Sequence, residues 1–191
     1  MHEIKGISPA RIAFDRRFRT TILGALDLAL GRWLLLANAA NAVIVVGAVA
    51  VPLFAATGWS GLAGDLFSAY SALCARLPER SYFLLGHQTA MDQRMMAIYG
   101  ASLAAGLAFV PFRKTLRPLS WRNLIWLTLP LALDGFTQLF GWRESNWFLR
   151  TVTGAAFGAG TVWFGYPRIE REVLSLLVPR PKVAAKMGEV S

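Results

Sequence analysis

The apolar positions of the chain form four long runs that are separated by short polar segments. A helix needs about 20 mostly apolar residues to cross a hydrocarbon layer about 30 Å thick, since each residue rises about 1.5 Å. The pattern therefore predicts an all-α protein, an integral membrane bundle of about four transmembrane helices. These four runs cover residues 34–56, 91–112, 123–140 and 147–166.

Three further segments predict short helices at the membrane: the first lies on the membrane or dips into it, and the two flanking ones lie on its surface. Residues 62–73 are apolar but too short to span. Near the N-terminus, Ser8-Pro9 offers a capping hydroxyl and a proline at the first helical position. Arginines alternate there with apolar side chains, which is typical of an interfacial amphipathic helix attracted to anionic lipid. The tail of residues 169–178 repeats this pattern and stops at Pro179. Docking onto another protein is the alternative for both flanks.

Composition supports a membrane protein. Of 191 residues, 55% are apolar and 16% are charged, whereas soluble domains carry about 25% charged residues. The formal charge of +9 does not indicate nucleic acid, because a basic soluble binder would lack such continuous apolar runs. We expect one membrane domain over residues 1–191, with a cytoplasmic segment 1–32, a bundle 34–166 and a basic tail 167–191. The first residues do not match a cleavable signal peptide.

The basic residues predict an orientation. Fifteen of the 20 Lys and Arg lie on one side of the four spans, and positive residues collect on the cytoplasmic side. Both termini should therefore be cytoplasmic, in a multi-pass protein of the plasma membrane. The fifteen are Lys5, Arg11, Arg16, Arg17, Arg19, Arg32, Arg113, Lys114, Arg117, Arg122, Arg168, Arg171, Arg180, Lys182 and Lys186. The other five are Arg76, Arg80, Arg94, Arg143 and Arg150.

Small residues indicate which spans touch, because helices in lipid pack closely through small side chains. The fourth span has the GxxxG pair Gly154 and Gly158, and the second has an alanine face. Direct contact between these spans is predicted, within one chain or between copies, so a membrane-protein partner or a homo-oligomer is expected. Asn38 and Asn41 in the first span should hydrogen bond to other helices. The alanines are Ala97, Ala101, Ala104 and Ala108.

Asp134 is the most informative polar residue. It lies inside the third apolar run, four residues after Pro130. A carboxylate in the membrane costs about 2.5–3.5 kcal/mol on insertion scales, so it should face protein and have a partner. Arg94 is the expected cation, with Arg80 as the alternative, and Gln138 lies one turn further along the same helix face. The site is either a buried ion pair that fixes helix register or a ligand or proton site.

The other candidate polar residues collect at the outer end of the bundle. Cys74, His87 and Asp92 could supply three metal donors, but their spacing fits no zinc pattern. No metal site is therefore predicted, no cofactor is identified, and the absence of a recognised catalytic motif leaves no residue assigned to catalysis. The candidate ligand-binding or structural cluster is Arg80, His87, Gln88, Asp92, Arg94, Asp134, Gln138, Arg143, Glu144 and Asn146.

Four stretches carry a resemblance to a known family. They are Cys74 to Tyr82, Gly86 to Gln88, Asp92 to Tyr99, and the sequence DGFTQLFGWRESN from Asp134 to Asn146. Over about residues 35 to 167 the chain resembles an uncharacterised prokaryotic membrane family, domain of unknown function 2085. The resemblance supplies no activity.

The family resemblance also bears on a metal site. Many members have Cys-His-Gln where this chain has Cys74-Ala75-Arg76, and a CxxC where it has Asp92 and Met95. Such a set implies a metal or redox site in those members, which is lost or altered here because one donor of the four remains.

These observations favour a non-catalytic membrane protein, a ligand-binding or accessory subunit with a polar site at its outer end. One alternative is a membrane enzyme that uses Asp134 or His87 for acid–base chemistry on a lipid-like substrate. Another is a small transporter, in which an intramembrane charge marks the path.

Overall fold

The structure, a computed structural model, describes residues 30–177 together with Phe18 and Thr21. The predicted N-terminal amphipathic helix therefore lies almost wholly outside the described residues. The chain divides into two compact units, one of residues 34–170 and one of residues 1–33 with 171–191. The first unit contains the hairpin and polar residues described below.

Helices dominate the described part of the chain, as the apolar pattern predicts. Ser120 begins α4 by accepting a hydrogen bond from the Asn123 N–H at 3.3 Å, and Asp92 caps α3 in the same way. Within the described residues, α1 and α3 are long and apolar enough to cross a membrane by length and composition. The helices are α1 (Trp33–Ala56), α2 (Ser60–Ala69), α3 (Gln93–Phe112), α4 (Trp121–Leu139) and α5 (Trp147–Leu177).

The last helix is longer than predicted. Residues 169–177 are not a separate surface helix but the final turns of α5, which continues through Pro167. Proline lacks the N–H that would bond to the carbonyl four residues earlier. Here that carbonyl, Trp163 O, accepts from the Leu119 N–H at 3.3 Å instead. The freed acceptor is therefore satisfied, and the helix is not interrupted.

A β-hairpin departs from the all-α prediction. Strand β1 (Ser81–Leu84) pairs antiparallel with β2 (His87–Asp92). The two-residue turn between them has positive φ at Leu85 (54°) and Gly86 (81°), as a tight hairpin turn requires. Because the first two residues of the predicted second span, Met91 and Asp92, belong to β2, α3 begins at Gln93 rather than at Met91.

Close packing of α3 against α5 confirms the predicted contact and places it within one chain. A Cβ at Gly154 would lie 2.7 Å from the Arg94 carbonyl oxygen, and one at Gly158 would lie 3.0 Å from the Ile98 carbonyl carbon. Ser102 Oγ donates to the Gly158 carbonyl at 3.3 Å. The two backbones therefore touch where α5 has no side chains.

The two asparagines of α1 behave differently. Asn41 donates to Ala37 O in its own helix at 3.1 Å and also hydrogen bonds Tyr166 of α5, as predicted. Asn38 is buried against Gly106 of α3, and its Oδ1 accepts no hydrogen bond from the described residues. The Asn38 oxygen therefore does not make the predicted helix-to-helix hydrogen bond, although it lies against α3.

Two glycines of α5 test the backbone contact. Gly158→Ala should lower the free energy of unfolding by about 1–3 kcal/mol, because a rigid carbonyl blocks the new methyl group. Gly165→Ala is the matched control, since nothing lies within 4 Å of its Cβ position. It should be neutral or stabilising by up to about 1 kcal/mol, through helix propensity. Unfolding in detergent measures both, and equal effects would contradict the packing described.

Candidate functional site: a buried carboxylate and a polar cavity

Helix α4 points one carboxylate into the protein. Asp134 is 2% exposed, while its neighbours Leu133 and Phe136 are 56% and 57% exposed. The helix therefore presents apolar side chains outward and the charge inward. This is the arrangement that the cost of an intramembrane carboxylate predicts.

Three donors from separate parts of the chain meet this carboxylate. Arg94 of α3 forms an ion pair with Asp134 Oδ2, which confirms the predicted partner. Arg143, just beyond α4, donates to Oδ1 at 2.5 Å. Ser145 Oγ donates to Oδ2 at 2.9 Å. Bonds between a guanidinium and a carboxylate are among the stronger hydrogen bonds in proteins, so they fix α3, α4 and the following loop together.

Gln138 extends the cluster on the same face of α4. In one amide orientation its oxygen accepts from Arg94 Nη2 at 3.3 Å. In the other it accepts from Arg150 Nη2 at 3.2 Å and from the Ser145 N–H at 2.9 Å. The second orientation satisfies two donors at shorter distances, and it links Arg150 to the Asp134 cluster.

Arg150 is the residue that sequence reasoning missed. It lies in the first turn of α5, is 7% exposed, and donates to Gln93 Oε1 at a long 3.4 Å. Its Nε–H has no hydrogen-bond acceptor among the described residues, and none of their carboxylates lies within ion-pair distance of the guanidinium group. An arginine inside an apolar run is itself a signal of a functional site. The sequence pattern alone shows it only as one of the five basic residues on the outer side.

A polar cavity of about 350 Å³ opens beside this cluster. Its buried lining residues are Gln93 of α3, Ser145 of the loop and Arg150 of α5, whereas Arg80, Glu144 and Asn146 are exposed. Arg80, the alternative partner for Asp134, therefore lines the cavity and forms no ion pair with that carboxylate. The lining residues are Glu79, Arg80, Gln93, Glu144, Ser145, Asn146, Trp147 and Arg150.

The remaining predicted residues belong to the hairpin. Gln88 Nε2 donates to Arg76 O at 2.7 Å and to Ser81 Oγ at 2.9 Å. Asp92 Oδ1 accepts from the Met95 N–H at 2.7 Å and so caps α3. His87 is exposed beside the hairpin turn. These side chains hold local structure or face outward, and none of them contacts Asp134 directly.

The single cysteine is tied to the cap of α3. Cys74 Sγ donates to Asp92 Oδ2 at 3.2 Å and accepts from the Asp92 N–H at 3.4 Å. Burial raises the pKa of the Cys74 thiol, and the Asp92 carboxylate raises it further. In the part of the chain that the structure describes, no three His, Cys, Asp or Glu side chains group as metal ligands. His87 is therefore not brought together with this pair.

The chain is thus a mostly helical protein with two candidate membrane helices. Residues 74–164 match the family described as "Predicted membrane protein (DUF2085)". The chain belongs to this family, which confirms the resemblance found in the sequence and implies a lipid bilayer as its environment.

Two archaeal relatives are similar over much of their length. An uncharacterised protein of Methanocaldococcus jannaschii is 38% identical over 125 residues, which are 61% of this chain and 79% of the relative. An uncharacterised protein of Methanothermobacter thermautotrophicus is 40% identical over 90 residues, 46% of this chain and 79% of the relative. No solved structure matches the chain significantly.

The Cys74–Asp92 contact predicts how the thiol reacts. Asp92→Asn removes the charge that helps to raise the Cys74 pKa, while the amide oxygen can still cap α3. Since thiolate is the reactive form, alkylation by a maleimide at fixed pH should become severalfold faster. Asp65→Asn, at an exposed carboxylate on α2, should leave the rate unchanged. A slower or unchanged rate in Asp92→Asn would contradict the assigned role of the carboxylate.

Asp134→Asn tests the buried ion pair. It leaves Arg94 without its counter-charge, and breaking a buried pair on one side costs about 3–5 kcal/mol. The yield of folded, monodisperse protein should fall sharply, as measured by size-exclusion chromatography in detergent. Asp65→Asn is again the control and should give the wild-type yield. A normal yield for Asp134→Asn would show that the pair does not hold the bundle together.

Proposed function

We propose that this chain is a four-span protein of the plasma membrane, with cytoplasmic termini and an outer polar cavity that binds a ligand without catalysis. It would act alone or as the ligand-binding or accessory subunit of a membrane complex. The observation that carries the proposal is the cavity itself. The buried Arg150 lines it, and the ion pairs of Asp134 stabilise the helices and the loop around it.

The burial of polar residues supports counting α4 and α5 as spans. The mean hydropathy of a helix counts its buried and its exposed residues equally. Asp134 and Arg150 are only 2% and 7% exposed, so their charges would not contact lipid. The outward side of α4 instead carries Ile125, Trp126 and Leu133, which are 57%, 68% and 56% exposed. Such a surface favours lipid over water. At 1.5 Å per residue, the 19 residues of α4 cover about 28 Å, close to the hydrocarbon thickness.

The positions of aromatic residues also support α4 as a membrane-spanning helix. Exposed tryptophans flank both ends of α4, with Trp121 at its start and Trp142 just beyond its end, at 66% and 76% exposure. Tryptophan is enriched at both membrane interfaces. The end of α4 near Trp121 adjoins Arg117 and Arg122, which belong to the basic side, so the cavity would face away from the cytoplasm.

The contacts favour binding over the enzyme alternative. Both oxygens of Asp134 already accept charged or hydroxyl donors, and the side chain is buried. A catalytic acid or base must reach the proton it transfers, and this carboxylate is occupied. His87, the other candidate, lies exposed beside the hairpin turn. A transporter would need a path through the bundle, whereas the polar cavity lies at one end of α3 and α5.

Reporter fusions test the topology. A green fluorescent protein fused after Ser191 should fluoresce, and alkaline phosphatase fused within residues 141–145 should be active, because we place these positions on opposite sides. The same phosphatase fused within residues 114–118 is the matched control and should be inactive. Activity of the phosphatase at both loops, or a non-fluorescent protein fused after Ser191, would contradict the four-span orientation.

Co-purification tests the accessory-subunit form of the proposal. The chain would be extracted from its native membrane in mild detergent and analysed by mass spectrometry and native electrophoresis. A stoichiometric membrane-protein partner, or a defined homo-oligomer, is the expected result. A monomer without bound molecules would contradict the proposal that the chain is an accessory subunit, and ligand binding would then be tested directly.

A further inference from the structure

We infer that the outer cavity binds an oxyanion, a carboxylate or phosphate group, between Arg150 at its buried side and Arg80 at its exposed side. The inference rests on the proposed function, because it names the ligand class of the same cavity. Both guanidinium groups line the cavity, and neither has a carboxylate at ion-pair distance among the described residues.

Arg150 is an unusual residue to leave unpaired. Burying a charge is costly unless the charge is paired and hydrogen bonded. The Arg150 side chain has amide oxygens as its acceptors, Gln93 at 3.4 Å and Gln138 at 3.2 Å, and its Nε has none. Amide dipoles only partly offset a full charge. An anion in the adjoining cavity would supply the missing counter-charge.

The surrounding charges leave an excess of positive charge at the buried side. Arg94 and Arg143 both form ion pairs with one carboxylate, Asp134, and Arg150 lies within its electrostatic influence but outside ion-pair distance. Since Arg94 and Arg143 already use both oxygens of Asp134, that carboxylate has no free oxygen to pair with Arg150. Arg80 and Arg94 repel the charge on Arg150, and this repulsion is larger than the attraction by Asp134 and Asp92. A bound oxyanion would relieve this repulsion.

Helix α5 adds a second favourable contribution. Asn146 caps it by accepting the Leu149 N–H at 2.8 Å, and both Asn146 and Trp147 line the cavity. The positive end of the helix macrodipole therefore lies at the same place as Arg150. Helix N-termini favour anions because their first N–H groups lack partners within the helix.

The exposed carboxylates limit the size and charge of the ligand. Glu79 and Glu144 line the cavity and are exposed, so they would repel a large polyanion but leave room for one small group beside Arg150. A volume of about 350 Å³ is at the lower end for small-molecule sites. The oxyanion could therefore be a free small acid or phosphate, or the headgroup of an anionic lipid.

Thermal unfolding of the full-length chain tests the inference. The protein in neutral detergent would be titrated with inorganic phosphate and with acetate, with sodium chloride at equal ionic strength as the salt control. A second arm compares nanodiscs of phosphatidylcholine with nanodiscs that also contain phosphatidylglycerol. Saturable stabilisation by phosphate or acetate identifies a free oxyanion, and stabilisation by phosphatidylglycerol alone identifies a lipid headgroup. Either result supports the inference.

Two matched arginine variants locate the effect. Arg80 and Arg122 are both exposed, and neither makes a side-chain hydrogen bond among the described residues, so both variants should fold. Arg80→Gln should weaken the apparent affinity by about 10-fold, which is typical of a charge-assisted hydrogen bond. Arg122→Gln should leave it unchanged. Arg150→Gln should abolish binding where it folds. Equal affinities in Arg80→Gln and wild type would overturn the assignment.

Neutral and cationic probes separate the failure of this inference from that of the proposed function. Glycerol and choline chloride would be titrated in the same assay. Stabilisation by either, without any response to phosphate, acetate or phosphatidylglycerol, overturns the oxyanion assignment but leaves a ligand-binding cavity. No saturable response to any probe, with wild-type folding confirmed, overturns both.

Discussion

The packing of α3, α4 and the loop before α5 depends on one carboxylate that is buried away from solvent. Asp134 is 2% exposed, and the partners of its charge come from the chain itself. Arg94 arrives from α3, while Arg143 and Ser145 arrive from the loop that follows α4. The carboxylate therefore sets the relative position of two helices and of the loop that leads into a third.

The cavity is a consequence of the same geometry. The loop must bend back over the end of α4 for Arg143 and Ser145 to reach Asp134, and it then delivers Asn146 as the cap of α5. Because α5 begins directly after Asn146, the side chain of Arg150 is buried opposite Gln93 at the start of α3. The space between these residues is the polar cavity. The glycines of α5 allow that helix to approach the backbone of α3 closely.

Much of the fold could be predicted from the sequence, because lipid imposes simple requirements. Long apolar runs marked the helices, the glycine pair identified the α3–α5 contact, and the cost of an isolated carboxylate led to Arg94. The hairpin could not be found in this way, since its strands are short and its turn places a leucine at positive φ. The continuation of α5 was also missed, because it depends on Leu119 satisfying the Trp163 carbonyl.

The part of the candidate site that could be predicted from the sequence is the part in which a buried carboxylate requires a cationic partner. Asp134, Arg94, Gln138 and Arg143 converge, but His87, Gln88 and Asp92 serve the hairpin and the start of α3. Sequence distance could not separate these groups, since a strand and a helix begin within a few residues of each other. Arg150 was overlooked because a charge near the end of a span resembles an ordinary interfacial anchor. Its burial depends on how the loop turns, which is a tertiary property.

Arg94 links the two stabilising features of the bundle. Its carbonyl oxygen lies against Gly154 of α5, while its guanidinium holds Asp134 of α4. A side chain added at Gly154 would push the backbone from which that guanidinium extends, so the ionic network would be displaced as well. Mutations at these positions should therefore not be additive. During divergence within the family, Gly154 and Asp134 would be expected to change together or not at all, an epistatic pair joined through a residue between them.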